Sequence, residues 1–267
     1  MLTPETIKEA ADSLNQAASA RKQIRQFHLT YPDLDLASAY AIQHEWVRMR
    51  RSGGRTLVGR KVGLTSKAMQ ASVGISEPDY GALMDDMLFH DGADIPADRF
   101  IEPRIEVELA FVMGKKLQGP NCTLGDVLAA TAYILPAIEI IDSRMQRVDP
   151  ETGGTRLILD SIADNAANAA FVLGACPIAP SEHDLRWISA LLYRNASIEE
   201  TGVAAGVLGH PGNGVAWLAN KLSSFDIALE PGQVILGGSF TRAIFGFKGD
   251  TFHADYGRYG SVSFHFS

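Results

Sequence analysis

Cysteine is nearly missing from this chain: Cys122 and Cys176 are the two among 267 residues. Two thiols without CxxC spacing build neither a disulfide framework nor a zinc cluster, and they suit a reducing compartment. Apolar runs of membrane-spanning length are absent, so no membrane partner is expected. Lys and Arg number 24 against 31 Asp and Glu, for a formal net charge of −7. With no long basic run to track a phosphate backbone, nucleic acid is a poor partner. Nucleotide fingerprints are missing as well. The segment GHPGNG (209–214) has neither GxGxxG spacing nor the Lys-Ser/Thr of a P-loop, and reads as a turn feeding a helix. The opening MLTPETIKEAADSLNQ lacks a basic stretch followed by an apolar one, so the expectation is a cytoplasmic protein without a secretory signal.

What is present is an ordinary globular composition, 46% hydrophobic and 21% charged, with enough chain for one large domain or a domain plus a helical appendage. The first 55 or so residues read helical. Thr3-Pro4 is a helix start, and the first helix is expected to run to about Gln26. After Tyr31-Pro32, Ala39, Ile42, Trp46 and Met49 keep helical spacing until Gly53-Gly54. From residue 56 the pattern becomes β-rich. Strands are expected near 57–63, 82–89, 104–113, 133–142, 169–174, 186–197, 233–238, 242–247, 250–256 and 259–266. Helices are expected at 66–73, 123–131, 160–168 and 213–224, the last capped by Asn213 with Val215, Leu218 and Leu222 inward. Strands and helices do not alternate regularly, which disfavours a parallel βαβ fold.

The segment RIEVELAF (104–111) poses a problem of charge. Ile105, Val107, Leu109 and Phe111 share one strand face; Glu106, Glu108, Ala110 and Val112 share the other. A half-solvated antiparallel sheet would tolerate two surface glutamates. Ala110 and Val112 instead suggest that this face is interior, where neighbouring carboxylates are costly unless a cation compensates. A hard divalent ion suits carboxylate oxygens. The run YILPAIEIID (133–142) offers a third such group, Glu139, between two isoleucines; Asp142 has the opposite parity. Glu139 reads either as a ligand or as half of a buried salt bridge to an arginine. Three glutamates and one divalent cation sum to −1, so an anionic substrate needs a nearby ammonium or guanidinium. Lys61, on an apolar strand, reads as that group or as a snorkelling side chain. Gly237-Gly238 follow the strand QVIL and place the Ser239 and Thr241 hydroxyls at a strand end, either beside a ligand or in a plain hairpin bend.

The runs GRKVGLTSKAMQ, SEPDYGALMDDMLFHDG, PRIEVELAF, PAIEIIDSR, DSIADNAANAAFVLG, EETGVAAGVLGHPGNGVAWLANKL and GGSFTR resemble the 2-oxo-acid hydratases and decarboxylases of aromatic meta-cleavage pathways, within the fumarylacetoacetate hydrolase-like superfamily. The resemblance covers nearly the whole chain. It implies an α+β fold, a mixed β-sandwich roll like the fumarylacetoacetate hydrolase C-terminal domain, with a helical region at 1–55 and a catalytic domain at 56–267. It implies a Mg²⁺ or Mn²⁺ site at Glu106, Glu108 and Glu139, with Lys61 and Asp79 catalytic. Gly63, Leu64, Ser161, Ser239 and Thr241 are then candidates to hold the substrate carboxylate or water. Further implications are a small-molecule 2-oxo dicarboxylate as substrate and a homo-oligomer, a large ring or stacked rings. Arg156, Lys67 and Arg186 are candidates for the distal carboxylate. Hydration is the implied reaction; decarboxylation, C–C hydrolysis and a non-catalytic role in a complex compete. The seven histidines are scattered and form no visible dyad with Glu, which weakens the hydrolase alternative.

Overall fold

The computed structural model describes residues 1–72 and 75–267. The Thr3 hydroxyl accepts the Thr6 N–H and Pro4 opens the first turn of α1 (Pro4–Ala20). The helix ends well before Gln26 because Arg21 turns left-handed, at φ 52°, and Ile24 pairs with Met145 as an isolated bridge. After α2 (Phe27–Thr30), Asp35 caps α3 (Leu36–Ser52) through the Ser38 N–H. Helices α1 and α3 pack together, with Ala10, Ala11, Leu14, Ala39 and Ile42 buried. From α3 the Gln43 amide donates to the carbonyls of Tyr80 and Ile162 at 2.8 and 2.9 Å. That buried clamp ties the helical region to the strand bearing Asp79.

Two sheets form the β-rich part. The larger runs β2 (Asp79–Met84), β1 (Leu57–Gly63), β10 (Val234–Leu236), β5 (Arg104–Met113), β6 (Thr131–Ile141), β7 (Asn168–Leu173) and β3 (Leu88–His90), with β11 (Ile244–Phe245) also on β5. The smaller runs β4 (Ala93–Ile95), β13 (Ser261–Phe266), β12 (Thr251–Asp255), β8 (Ser189–Arg194) and β9 (Ser197–Val203). Pairing is parallel at β1/β10, β3/β7 and β4/β13 and antiparallel elsewhere. Ile105, Val107, Leu109 and Phe111 are fully buried in a core shared with Phe252, Phe264 and Phe266 of the second sheet. Mixed sheets flanked by helices are the expected α+β architecture, and no helix among the described residues is long and apolar enough to cross a membrane.

Several expected elements differ in extent. The strand expected at 82–89 is two pieces, β2 and β3, split by a 3-10 turn at Asp85–Met87. The strand expected at 186–197 is a hairpin, β8 and β9, turning at Asn195-Ala196. Helix α4 (Lys67–Ser72) occupies the stretch expected at 66–73, with position 73 outside the described residues. Helix α5 (Leu124–Ala130) is capped by Thr123. The helix expected at 160–168 is α6 (Ile158–Ala163) followed by Asn165, Ala166 and Ala167 in left-handed backbone. The cause is Asn165, whose side chain bonds both the N–H and the C=O of Ala82, at 2.7 and 2.9 Å, as a strand neighbour would. Helix α7 (Pro211–Ser223) is capped by His210 and not by Asn213: the His210 ring accepts the Gly212 N–H, while the Asn213 amide donates to Leu208. Val215, Leu218 and Leu222 do face inward.

Candidate metal centre and active site

The β5/β6 register sets Glu106 directly opposite Glu139, and Glu108 opposite Ala137. Like charges facing each other across a ladder are destabilising. Here carboxylate oxygens of all three glutamates lie within 4.8 Å of one another. Glu108 and Glu139 are buried, and Glu106 is half-buried. The oxygens are not all satisfied by protein. Glu108 Oε2 accepts the Gly238 N–H at 2.8 Å and Glu139 Oε1 accepts the Asn168 amide at 2.8 Å, but Glu139 Oε2 is buried with no partner. An orphaned carboxylate oxygen inside a cluster of three fits a hard divalent cation.

Lys61 comes from β1. Its row continues through Leu236 of β10 to Ala110 of β5, so it shares the glutamates' sheet face. The residue is 4% exposed, with Nζ 3.3 Å from Glu139 Oε1. It is therefore no snorkelling lysine, and the salt bridge considered for Glu139 exists, to a lysine within the same cluster. Burial alone would favour the neutral amine; Glu139, Asp79, Glu106 and Glu108 outweigh it and hold the pKa above that of an ordinary lysine. Among the carboxyls, burial, and then Glu139, pushes Glu106 up to about 7. The same two causes raise Glu108 well above its usual value, against the Gly238 N–H.

Asp79 pairs in register with Gly63 across β1/β2 and is 4% exposed. A Cβ at Gly63 would lie 2.2 Å from Asp79 Oδ1 and 3.2 Å from Lys61 Nζ, so only glycine admits this juxtaposition. Asp79 Oδ1 is buried without a partner. Burial raises its pKa; Lys61 and Arg156 oppose the rise and Glu139 adds to it. Leu64 turns left-handed at φ 55°, and the Gln70 amide holds its carbonyl at 2.8 Å. Gly238, at φ 118°, passes so close to Thr65 that a Cβ would meet its hydroxyl at 2.4 Å. That approach frees the Gly238 N–H for Glu108.

The hydroxyls expected to hold ligand have protein partners. Thr241 Oγ1 accepts the N–H of Val107, between the two glutamates of β5, and Ser239 donates to the Thr241 carbonyl. Ser161 lies on α6, which packs against α3 and against β2, the strand of Asp79. Of the three cations considered for a distal carboxylate, Arg156 is inside, bonded to Ser143 Oγ and 3.8 Å from Asp164. Lys67 is exposed, and Arg186 is half exposed and tied to Asp184. Asp142, set aside by parity, accepts the N–H groups of Ile101, Glu102 and Ser143.

Two supports escaped the sequence reading. One is Asn168, on Glu139. The other is Tyr256, whose hydroxyl sits in the β5/β6 ladder at Glu108 and Ala137, 2.7 Å from each carbonyl and 3.2 Å from the Ala137 N–H. Neither residue type signals such a role, and both partners are distant in sequence.

No family model matches the chain. It is 65% identical over 256 residues to 2-oxo-hept-4-ene-1,7-dioate hydratase of Escherichia coli, covering 96% of each chain. It is 39% identical over 261 residues to 2-keto-4-pentenoate hydratase of Paraburkholderia xenovorans, covering 98% of this chain and 95% of that one. The chain belongs to the 2-oxo-acid hydratase and decarboxylase family. Among solved structures of this hydratase and decarboxylase family, 4-oxalocrotonate decarboxylase from Pseudomonas putida G7, complexed with magnesium and adipate, matches with a TM-score of 0.94 at 34% identity, covering 100% of this chain and 99% of that one.

Proposed function

We propose that this protein is a divalent-metal-dependent hydratase that converts 2-oxohept-4-ene-1,7-dioate to 4-hydroxy-2-oxoheptanedioate in aromatic catabolism. The observation that carries the reading is the cluster of half-buried Glu106 with buried Glu108, Glu139, Lys61 and Asp79, in a chain 65% identical to a hydratase of that name. Glu106, Glu108 and Glu139 would hold Mg²⁺ (or Mn²⁺), which when bound supplies Lewis-acid polarisation of a 2-oxo acid. The remaining chemistry belongs to the chain's own groups. The Lys61 ammonium, kept protonated by four carboxyls, donates to the 2-oxo oxygen as it gains negative charge. Asp79, with a raised pKa and a free Oδ1, takes the C3 proton and returns one to C5, which brings the double bond into conjugation with the ketone. Water then adds its oxygen at C4 and a proton at C3. The backbone at Gly63-Leu64 would position carboxylate and water, assisted by Ser161, Ser239 and Thr241. The same reading has the enzyme working in the cytoplasm as a homo-oligomer.

The test is turnover of the seven-carbon diacid, with Mg²⁺, against 2-oxopent-4-enoate. The expected result is a higher kcat/KM for the diacid, a 4-hydroxy-2-oxo product and loss of activity on chelation. Release of CO₂ in place of hydration would move the protein to the decarboxylases, and a higher kcat/KM for the monoacid would overturn the substrate.

A further inference from the structure

Outside the glutamate cluster, the same face of β5 carries one more charged side chain. Arg104 lies two residues before Glu106, in register with Ile141 of β6 and Phe245 of β11. Its guanidinium carbon sits 4.1 Å over the Phe245 ring. Stacking fixes the plane of the guanidinium and leaves its N–H edge for hydrogen bonds in that plane. Nε of Arg104 is buried with no partner, and among the described residues no carboxylate pairs with the group. Arg147 lies close enough to repel it, and uses Nε on Glu102 at 2.8 Å while its Nη2 is buried and unpartnered. Glu102 pairs with Arg147, while Arg104 feels Glu102 and Glu106 without pairing with either, so its hydrogen-bonding edge stays uncommitted.

The inner site's own cations are committed to its carboxyls. A divalent cation and Lys61 face the four carboxyls of Glu106, Glu108, Glu139 and Asp79, so they leave no positive charge over for a substrate's far end. A second carboxylate, at the far end of a dicarboxylate, needs a cation of its own. Two residues of strand advance roughly 6.8 Å, the order of the separation between the 2-oxo group and the far carboxylate of a seven-carbon chain. We propose that Arg104, with Arg147 beside it, receives the far carboxylate of a 2-oxo dicarboxylate and so sets the preference for a diacid over a monoacid. This rests on the substrate reading above and assigns the role to none of Arg156, Lys67 and Arg186. Arg156 is already engaged by Ser143 and Asp164, and Arg186 by Asp184.

The experiment measures binding without turnover. Mg²⁺-loaded parent protein is titrated calorimetrically with 2-oxoheptanedioate and with 2-oxopentanoate, which lack the double bond. The parent is expected to bind the diacid more tightly by roughly 10- to 100-fold, the range for hydrogen bonds to a charged group. Arg104→Gln and Arg147→Gln should each cut that ratio at least tenfold, and Arg104→Lys should restore part of it. Arg104→Met, which keeps apolar contact with Phe245, replaces Arg104→Gln if the latter does not fold. A ratio within threefold of the parent's in both the Arg104 and the Arg147 variants overturns the inference while the substrate reading stands. A parent without diacid preference overturns the substrate reading, and this inference with it.

Discussion

A single oxygen atom, Glu139 Oε2, condenses the argument at the scale of residues. Its sister oxygen is held by Lys61 and Asn168, whereas it is buried with nothing from the protein. The clustering of Glu106, Glu108 and Glu139 was legible because strand parity and apolar flanks put carboxylates where burial is costly. Lys61 was legible for the same reason. Asn168 was not, since an asparagine at a strand start is common and its partner lies 29 residues away. The proposed role of Lys61 separates from a packing role by substitution. Lys61→Met keeps the apolar stem and removes the charge that answers Glu139. Its kcat should fall by roughly two to four orders of magnitude, the range for losing an acid–base or oxyanion group. Lys61→Arg should rescue little, because a wider guanidinium does not fit between Glu139 and a ligand. Turnover within about threefold of the parent, measured alongside circular dichroism, would leave Lys61 a structural strand residue.

Elements were legible wherever hydrophobic periodicity ran uninterrupted, as in β1, β5, β6 and β13. They were misread where a polar side chain stands in for backbone. Asn165 does so at Ala82, stopping α6 and letting the chain turn left-handed over three residues. The unforeseen β8/β9 hairpin has a different cause. Asn195 and Ala196 both have positive φ, 50° and 68°, the two-residue turn that matches strand twist. Asparagine advertises such a turn, but alanine in the second position hides it. That mismatch carries a prediction. Ala196 is exposed, so replacing it changes backbone preference and little else. Ala196→Gly should stabilise the protein by about 1 kcal/mol, the cost of holding an L-residue in the left-handed region. Chemical denaturation of the two proteins measures it, and an unchanged or lower midpoint would show that unfolded-state entropy of glycine offsets the relief.

Over the whole molecule, folding and cation binding compete for the same protons. Without a cation, Glu106 is raised to about 7 from an unfolded value near 4.5, and Glu108 is raised well above its usual value. A carboxyl raised on folding contributes stability that is full below its unfolded pKa and lost as pH rises through its folded one. The cation-free protein should therefore lose stability from Glu106 between about pH 4.5 and 7, with Glu108 acting in the same sense. Two histidines obscure that trend. Burial lowers the pKa of His44 and of His210, so each loses stability in the opposite sense, as pH falls through 6.5. Both lie outside the glutamate cluster, and their contribution cancels when one protein is compared with and without Mg²⁺. The informative quantity is thus the rise in Tm on adding Mg²⁺. It should grow from pH 5 to pH 8, because ionised glutamates bind the cation and protonated ones must first release a proton. At a Mg²⁺ concentration 100 times Kd the gain is about 2.7 kcal/mol. Titration at pH 6 in two buffers of different ionisation enthalpy should report protons released on binding. A rise in Tm that stays flat across this range, with no proton release, would mean that the glutamates are ionised before the cation arrives, and the cost of burying them would have to be met by Lys61 alone.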